Sequence, residues 1–314
     1  MTVMEPGRPR LGAHLPLAAG MVRAADRAHE IGADAIQIFA DNPATWRRRT
    51  GPPPELEAFR ARLARFDISP IAIHGAYLIN LAGPEDDLFE RSVGLLDSEL
   101  RAAAAFGARF VNNHAGSHRE TSLEDGIRRI GLGVDRALAS VGDAARGAMV
   151  VLENSVGAGW AVGSTIEELA RIGAAIARRG VPAERIGFCL DSSHLWGSGQ
   201  RISEPDEIER ILAEFDALIG LRRLVLVHLN DAKMALGSNR DRHEHIGAGR
   251  IGARGLGHLL RHPQLRHVAF VLETPGMTEG FDAVNVARAR ALLRGEELTD
   301  LPDHADATAA LVAG

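Results

Sequence analysis

Leu224–Gly249 reads LVLVHLNDAKMALGSNRDRHEHIGAG. It opens as the inside of a buried strand and runs directly into His228, Asn230, Asp231, Asp241 and His243. Burying ionisable groups is costly unless they are paired, hydrogen-bonded or bound to metal. The same pattern recurs along the chain. Apolar runs rich in Val, Ile and Phe occur at Leu11–His14, Ala35–Phe39, Pro70–His74, Arg109–His114, Met149–Glu153, Ile186–Asp191, Leu224–Asn230 and Val268–Thr274. Between them lie segments of helical periodicity, among them Met21–Ile31, Leu56–Phe66, Leu88–Phe106, Ile166–Arg178 and Glu207–Leu218. The last of these follows a Ser203 cap and a Pro205 start. Strands alternating with helices imply parallel βαβ units. Eight such units in 314 residues predict an α/β fold, a single-domain (β/α)8 TIM barrel over residues 1–297. A doubly wound open sheet is the alternative. Residues 298–314, acidic and Ala-rich, are expected to form a peripheral C-terminal tail.

The composition, 46% hydrophobic and 25% charged, is that of an ordinary globular protein. The single cysteine, Cys189, excludes an intrachain disulfide and fits a reducing compartment. The first fifteen residues, MTVMEPGRPRLGAHL, carry no apolar h-region, so no signal peptide is expected. No run is long and apolar enough for a membrane span. A cytoplasmic location is expected. The net charge of −5 argues against a broadly basic nucleic-acid binder, an argument that weakens if the chain holds cations. Lys233 is the sole lysine, which reads as a compositional bias towards arginine.

Six successive runs reach a polar, ionisable residue at or within two residues of their ends: His74, His114, Glu153, Asp191, His228 and Glu273. A lone histidine at a strand end is more often a satisfied hydrogen-bonding group than a ligand, and a lone carboxylate there often caps the next helix. Six in succession, converging on the face of a parallel barrel that carries active sites, are a different matter. With His194, Asp241 and His243 the set comprises five histidines and four carboxylates. Borderline divalent metals favour this mixture, zinc foremost. Nine ligands exceed one tetrahedral ion and suit two or three.

Other motifs carry less. Gly247–Gly252 fits G-x-G-x-x-G but follows a polar run rather than a strand, so a dinucleotide fingerprint is rejected. Ser192 and Ser193 lack an orienting triad, and metal competes for His194. Cys189 reads as core. Asn42–Pro54 is a long loop with an exposed Trp46-Arg47-Arg48-Arg49 cluster.

On these residues the chain resembles the endonuclease IV family of apurinic/apyrimidinic endonucleases. The matching stretches are GAH (Gly12–His14), HGAYLINL (His74–Leu81), NHAGSH (Asn113–His118), LENSVGAG (Leu152–Gly159), LDSSH (Leu190–His194), HLNDAK (His228–Lys233), DRHEHIGAGRIG (Asp241–Gly252) and LETP (Leu272–Pro275). The resemblance implies a TIM barrel with three zinc ions, manganese substituting in part. It assigns His74, His114 and Glu153 to one ion. It gives Glu153, Asp191, His228 and Glu273 to a second, with Glu153 bridging, and His194, Asp241 and His243 to the third. Glu153, Asp191 and Glu273 carry the catalytic roles. The implied reaction is hydrolysis of the phosphodiester 5′ to an abasic site, leaving a 3′-hydroxyl, with repair of blocked 3′ ends as a related activity. The implied partner is double-stranded DNA with an abasic site or a blocked 3′ end, and no membrane. A monomer is expected, associated with the nucleoid when it acts on DNA. Three Zn²⁺ would bring the formal charge from −5 to about +1, so an acidic chain can still present a positive pocket to DNA.

Tyr77 and Leu78 match a pair that family members insert into DNA; Tyr77 is the only tyrosine. The chain departs from the family in the loop after its second strand. There the family commonly has Asn-x-Arg-x-Trp, whose arginine enters the DNA stack; here Asn42-Pro43-Ala44-Thr45-Trp46 has alanine at that position. Trp46, Arg47 and Arg48, with Arg49, are the expected contacts to DNA instead. Two other readings stay open: a metal-dependent sugar isomerase or epimerase of the related barrel type, and a noncatalytic DNA-end-binding homologue. The Asp241-x-His243 pair argues against the first, the full ligand set against the second.

Overall fold

The computed structural model describes residues 8–303. In chain order the elements are β1 (Arg10–His14), α1 (Met21–Glu30), β2 (Ala35–Ile38), α2 (Leu56–Arg65), β3 (Ile71–His74), α3 (Asp86–Phe106), β4 (Phe110–His114), α4 (Leu123–Val141) and β5 (Met149–Glu153). They continue with α5 (Ile166–Ala177), β6 (Ile186–Asp191), α6 (Ser192–Gly197), α7 (Pro205–Leu218), β7 (Leu224–His228), β8 (Asp231–Ala232), β9 (His243–Glu244), α8 (Gly252–Arg261), β10 (Ala269–Leu272) and α9 (Phe281–Arg294). Strands β1 to β7 and β10 close into a parallel barrel in which each pairs with its sequential neighbours and β10 pairs with β1. The closed barrel, not the open sheet, is the fold. Among the described residues no helix is long and apolar enough to cross a membrane.

Successive side chains of a strand point to opposite faces. One face packs under the helices: Ile36, Ile73, Val111, Val150, Leu152, Phe188, Leu190 and Phe270 belong to the large core there. The other face fills the barrel, where Ala72, Phe110, Val151, Cys189, Leu226, Ala269 and Val271 form a small apolar cluster of their own. Cys189 is therefore core, as its place in a strand implies. The period of two then decides the site. Two residues beyond Ala72, Val151, Cys189, Leu226 and Val271 come His74, Glu153, Asp191, His228 and Glu273. The apolar plug and the polar set are one inward-facing series, and the change from apolar to ionisable marks the C-terminal mouth. Register aligns the set: His114 pairs with Glu153 across β4 and β5, and Asp191 with His228 across β6 and β7.

The glycines of Gly247–Gly252 have a local purpose. Asp231, buried at the start of β8, accepts backbone N–H bonds from Gly249, Ile251 and Gly252 at the entry to α8. A Cβ on Gly249 would lie 2.4 Å from its carboxylate oxygen. The donors that a dinucleotide phosphate would need are already taken by the chain's own anion. Antiparallel pairing of β8 with β9 then fixes the long loop after β7, setting His243 opposite Ala232.

The structure revises two sequence readings here. Ser203 does not cap α7: its first residue is Pro205, Glu204 occupies the cap position with no side-chain bond, and the backbone of Ser203 lies against Gly255 of α8. The start of the C-terminal tail is tied to the barrel, because Leu298 packs on the core and Arg288 donates to the carbonyl of Thr299. Residues 304–314 of that tail lie outside the described residues.

Candidate metal centre

All nine sequence-predicted ligands come together at the C-terminal mouth. Glu153 sits at the middle: its Oε1 is 3.4 Å from His228 Nδ1, 3.2 Å from His194 Nδ1 and 4.0 Å from His114 Nδ1, and its Oε2 is 3.9 Å from His74 Nε2. His228 Nδ1 also faces Glu273 at 3.1 Å and Asp191 at 3.8 Å. Asp241 reaches over the opening to meet His194 Nε2 at 3.3 Å and His243 Nε2 at 3.0 Å. The donor atoms fall into tight groups, notably His74–His114–Glu153, Asp191–His228–Glu273 and Asp191–His194–His243. Asp241 stands beside the last group rather than within it. The mouth is a cavity of about 360 Å³ walled by seven of the nine, all but Asp191 and His228, with His14, Phe39, Tyr77 and Met277 among its other walls.

The chain orients four of the five rings through hydrogen bonds. His74, His194 and His243 bond through Nδ1 to the carbonyls of Gly75, Asn154 and Glu273, at 2.8, 2.9 and 2.8 Å. A carbonyl only accepts, so these Nδ1 atoms carry the proton and Nε2 is left to face the centre. His228 is held the other way: its Nε2 bonds to Gln37 Oε1 at 3.0 Å, leaving Nδ1 inward. Carboxylates are steadied likewise. Asn112 donates to Glu153 Oε2 at 2.6 Å, Asn230 to Asp191 Oδ2 at 2.7 Å and Gln37 to Glu273 Oε1 at 2.7 Å, with His14 3.3 Å from the same oxygen.

Among the described residues, Glu153 Oε1, His228 Nδ1 and His243 Nε2 are buried polar atoms that form no well-aligned hydrogen bond, although each lies 3.0–3.2 Å from an oppositely charged group across the centre. Leaving such atoms unsatisfied is expensive. Here the three share one property: each points into the centre. Imidazole nitrogens and carboxylate oxygens, oriented from behind and crowded together in front without aligned hydrogen bonds, fit divalent metal.

Electrostatics agree. Burial holds the His74 imidazole down at about 4, so it is neutral and ready to donate a lone pair. Burial opposes charge on Glu153 too, but His114 and His228 outweigh it and keep the carboxyl well below its usual range. Burial also opposes charge on His194 and His243. Asp191, Asp241 and Glu153 nonetheless raise His194 well above the ordinary imidazole value, and Asp241 with Asp191 raises His243 to about 9. Burial opposes charge on His228 as well, and Cys189, Glu273 and Glu153 raise it in the same way. A metal must displace those protons. Binding at pH 7 should therefore release protons from these histidines, and affinity should rise with pH until His243 is deprotonated near 9. For the metal-free chain the sign is opposite. The stabilisation from protonated His243 is complete below about 6.5 and is lost as pH rises through about 9. Titration calorimetry with zinc in two buffers of different ionisation enthalpy measures the release; none at pH 7 would contradict the pairing of His194 and His243 with these carboxylates.

The expected DNA contacts are placed unevenly. Tyr77 is 65% exposed and stands edge-on to Phe39 and His74 at the cavity wall. Leu78 is half-buried against the core. The expectation of an exposed cluster at residues 46–49 holds for Arg47 and Arg49 and fails for Trp46 and Arg48. The Trp46 ring lies beneath the Arg91 guanidinium, 3.9 Å from its centroid. Arg48 turns inward, donates to the carbonyls of Asn42, Thr45 and Arg47, and faces buried Glu99 at 3.6 Å. It braces the loop from inside. Glu99 explains the misreading: an arginine run looks solvent-exposed unless a carboxylate on a distant helix, α3, is known to lie beneath it.

His14, Gln37, Asn112 and Asn230 support the cluster without having been assigned a role from the sequence; His14 and Asn230 end apolar runs there, whereas Gln37 and Asn112 were overlooked. Gln37 and Asn112 lie within strands and do not ionise. Their signal was parity: both fall on the inward series, Gln37 two residues after Ala35 and Asn112 two before His114.

Comparison with known proteins follows the same line. The sequence model of a family described as a xylose isomerase-like TIM barrel matches residues 25–296. The chain is 38% identical over 282 residues to "Probable endonuclease 4" of Methanoculleus marisnigri, covering 90% of this chain and 98% of that protein. It superposes on the crystal structure of endonuclease IV from Thermus thermophilus with a TM-score of 0.79 at 36% identity, covering 91% of this chain and all of that one. A 3-keto-D-glucoside 4-epimerase from E. coli, at 14% identity and a TM-score of 0.62 over 90% of this chain, shares the fold alone.

Proposed function

Because the chain belongs to the endonuclease IV family of xylose isomerase-like TIM barrels, we propose that it is a zinc-dependent DNA-repair endonuclease that hydrolyses the phosphodiester 5′ to abasic sites and leaves a 3′-hydroxyl. The observation that carries the metal reading is the set of crowded, inward-facing donor atoms on Glu153, His228 and His243. His74, His114 and Glu153 would hold one ion, and Glu153, Asp191, His228 and Glu273 a second. His194, Asp241 and His243 would hold the third. Bound zinc supplies Lewis acidity and a nucleophilic water at neutral pH, which an inert phosphodiester requires.

The chain's own residues supply the rest. Glu153 would serve both of the first two sites, and Asn112, donating to its Oε2, fixes which of its oxygens faces which neighbour. Gln37 couples the far side of His228 to Glu273, so two ligands move as one. Asp241 and His114, with side chains 46% and 41% exposed, lie on the open side through which a phosphate enters. Tyr77 rises at the cavity wall, where a nucleotide lacking its base can be drawn out at lower cost than an intact one. Repair of blocked 3′ ends would use the same centre, since it too is phosphoester hydrolysis next to a 3′ oxygen.

The test is incubation of metal-loaded protein with duplexes that carry one abasic site, alongside intact duplexes and a panel of sugars. Cleavage 5′ to the lesion with a 3′-hydroxyl product is expected. Isomerised sugar without cleavage would favour the epimerase reading instead.

Ala44 bears on the grip. It is exposed, and its backbone N–H is held by Asn42 Oδ1 at 3.0 Å. With a methyl group there, exposed Arg47 and Arg49 offer phosphate contacts that are salt-sensitive and carry no lesion preference. Ala44→Arg should tighten binding to an abasic duplex by about 1 kcal/mol, the size of one stacking contact. Binding of both proteins to lesion-bearing and intact duplex at two salt concentrations checks this. No change would mean that another loop fills the gap.

A further inference from the structure

Among the described residues three large apolar side chains are strongly exposed: Tyr77, Trp160 and Leu218. Leu218 ends α7, but the two aromatics both stand on loops at the mouth of the barrel. Trp160 is 51% exposed, on the loop that continues from Glu153 at the end of β5. An indole left half in water is a large unsatisfied apolar surface.

Its backbone is fixed on both sides. The Trp160 carbonyl accepts from the N–H of His118 at 3.0 Å, Val162 donates to Gly116 at 2.9 Å, and Ala161 pairs with Ser117 in an isolated bridge. The loop after β4 is tied in turn to the loop after β3, where Asn80 bonds both the N–H and the carbonyl of Ser117. On the other flank Asn239, from the loop after β7, donates to the carbonyl of Val156. Tyr77 and Trp160 are thus mounted on one hydrogen-bonded rim, on loops from strands two apart in the barrel. That is roughly 10 Å at the level of the strands. A segment built this way holds its aromatic in place rather than leaving it to find cover.

We infer that Trp160 is a second aromatic contact to bound DNA, packing its indole on a nucleotide that flanks the one at the metal centre. The inference rests on the nuclease reading of that centre. A duplex extends beyond the reacting phosphate in both directions, so a substrate seated on Glu153 runs over the loops beside it. Stacking on an aromatic face tolerates any base, which suits a surface that must grip DNA irrespective of sequence. Trp160 does not line the cavity at the centre, so its effect is expected on binding rather than on turnover.

The three tryptophans make the test direct, because Trp196 is buried and Trp46 is covered by Arg91. Acrylamide should quench the Trp160 emission of the free protein, and saturating abasic duplex should protect it. Trp160→Phe should lack that protectable component. Trp160→Ala should weaken duplex binding about tenfold, with Phe restoring most of it and turnover at saturation unchanged. A protein that cleaves abasic duplex while Trp160 stays fully open to acrylamide overturns this inference and leaves the nuclease reading standing. Wild type that neither binds nor cleaves the duplex overturns both. Protection that grows with protein concentration in the absence of DNA would assign Trp160 to a contact between copies, also against the inference.

Discussion

Glu153→Gln should lower turnover on an abasic duplex by about a thousandfold or more, because it removes the carboxylate proposed to serve two metal positions. The geometry makes this substitution severe despite its small size. Asn112 donates to Glu153 Oε2 at 2.6 Å, so a glutamine there turns its carbonyl towards Asn112 to keep that bond. Its amide nitrogen then takes the place of Oε1, the atom that faces His114, His194 and His228. A donor without a lone pair stands where a bridging ligand belongs. Duplex binding should change little, because Tyr77, Arg47 and Trp160 lie outside the ligand set. Steady-state turnover and equilibrium binding on the same duplex separate the two effects. Near-normal turnover would mean that Glu153 does not bridge.

The second large effect is expected from chelation. Stripping metal should abolish cleavage and lower the melting temperature, and added zinc should restore both. The stability loss follows from linkage: a ligand present at a thousand times its dissociation constant stabilises the fold by about 4 kcal/mol. For a chain of this size that corresponds to roughly 5–10 °C. The fold itself should survive, because the barrel's core does not depend on the mouth. The apolar plug of Phe110, Val151, Cys189 and Leu226 closes the barrel beneath the site, and protonated His194 and His243 offset the clustered carboxylates once metal is gone. Full activity after exhaustive chelation and dialysis would contradict the account.

The barrel was legible because each of its strands, buried on both faces, reads as a short apolar run, and eight runs alternate with helices. The convergence of the ionisable cluster was legible for a related reason: an ionisable residue ending such a run has few bland explanations, and six in a row have fewer. What escaped depends on contacts between distant segments. Gln37 and Asn112 are neutral and sit inside strands, so only their inward parity marks them. Arg48 looks like one of three exposed arginines until Glu99, on α3, is found beneath it. The G-x-G-x-x-G run could be rejected as a nucleotide site from its context, but that its amides serve Asp231 required the fold. Trp160 drew no reading from the sequence, because its exposure depends on how the loop after β4 holds it.

The claim at the centre of this account is that nine residues hold three ions. Elemental analysis of gently purified protein, on the same sample whose cleavage of an abasic duplex is measured, tests it most directly. The account predicts close to three metal equivalents per chain, zinc predominating, with activity lost as the count falls. A reproducible count of one in fully active protein would contradict it.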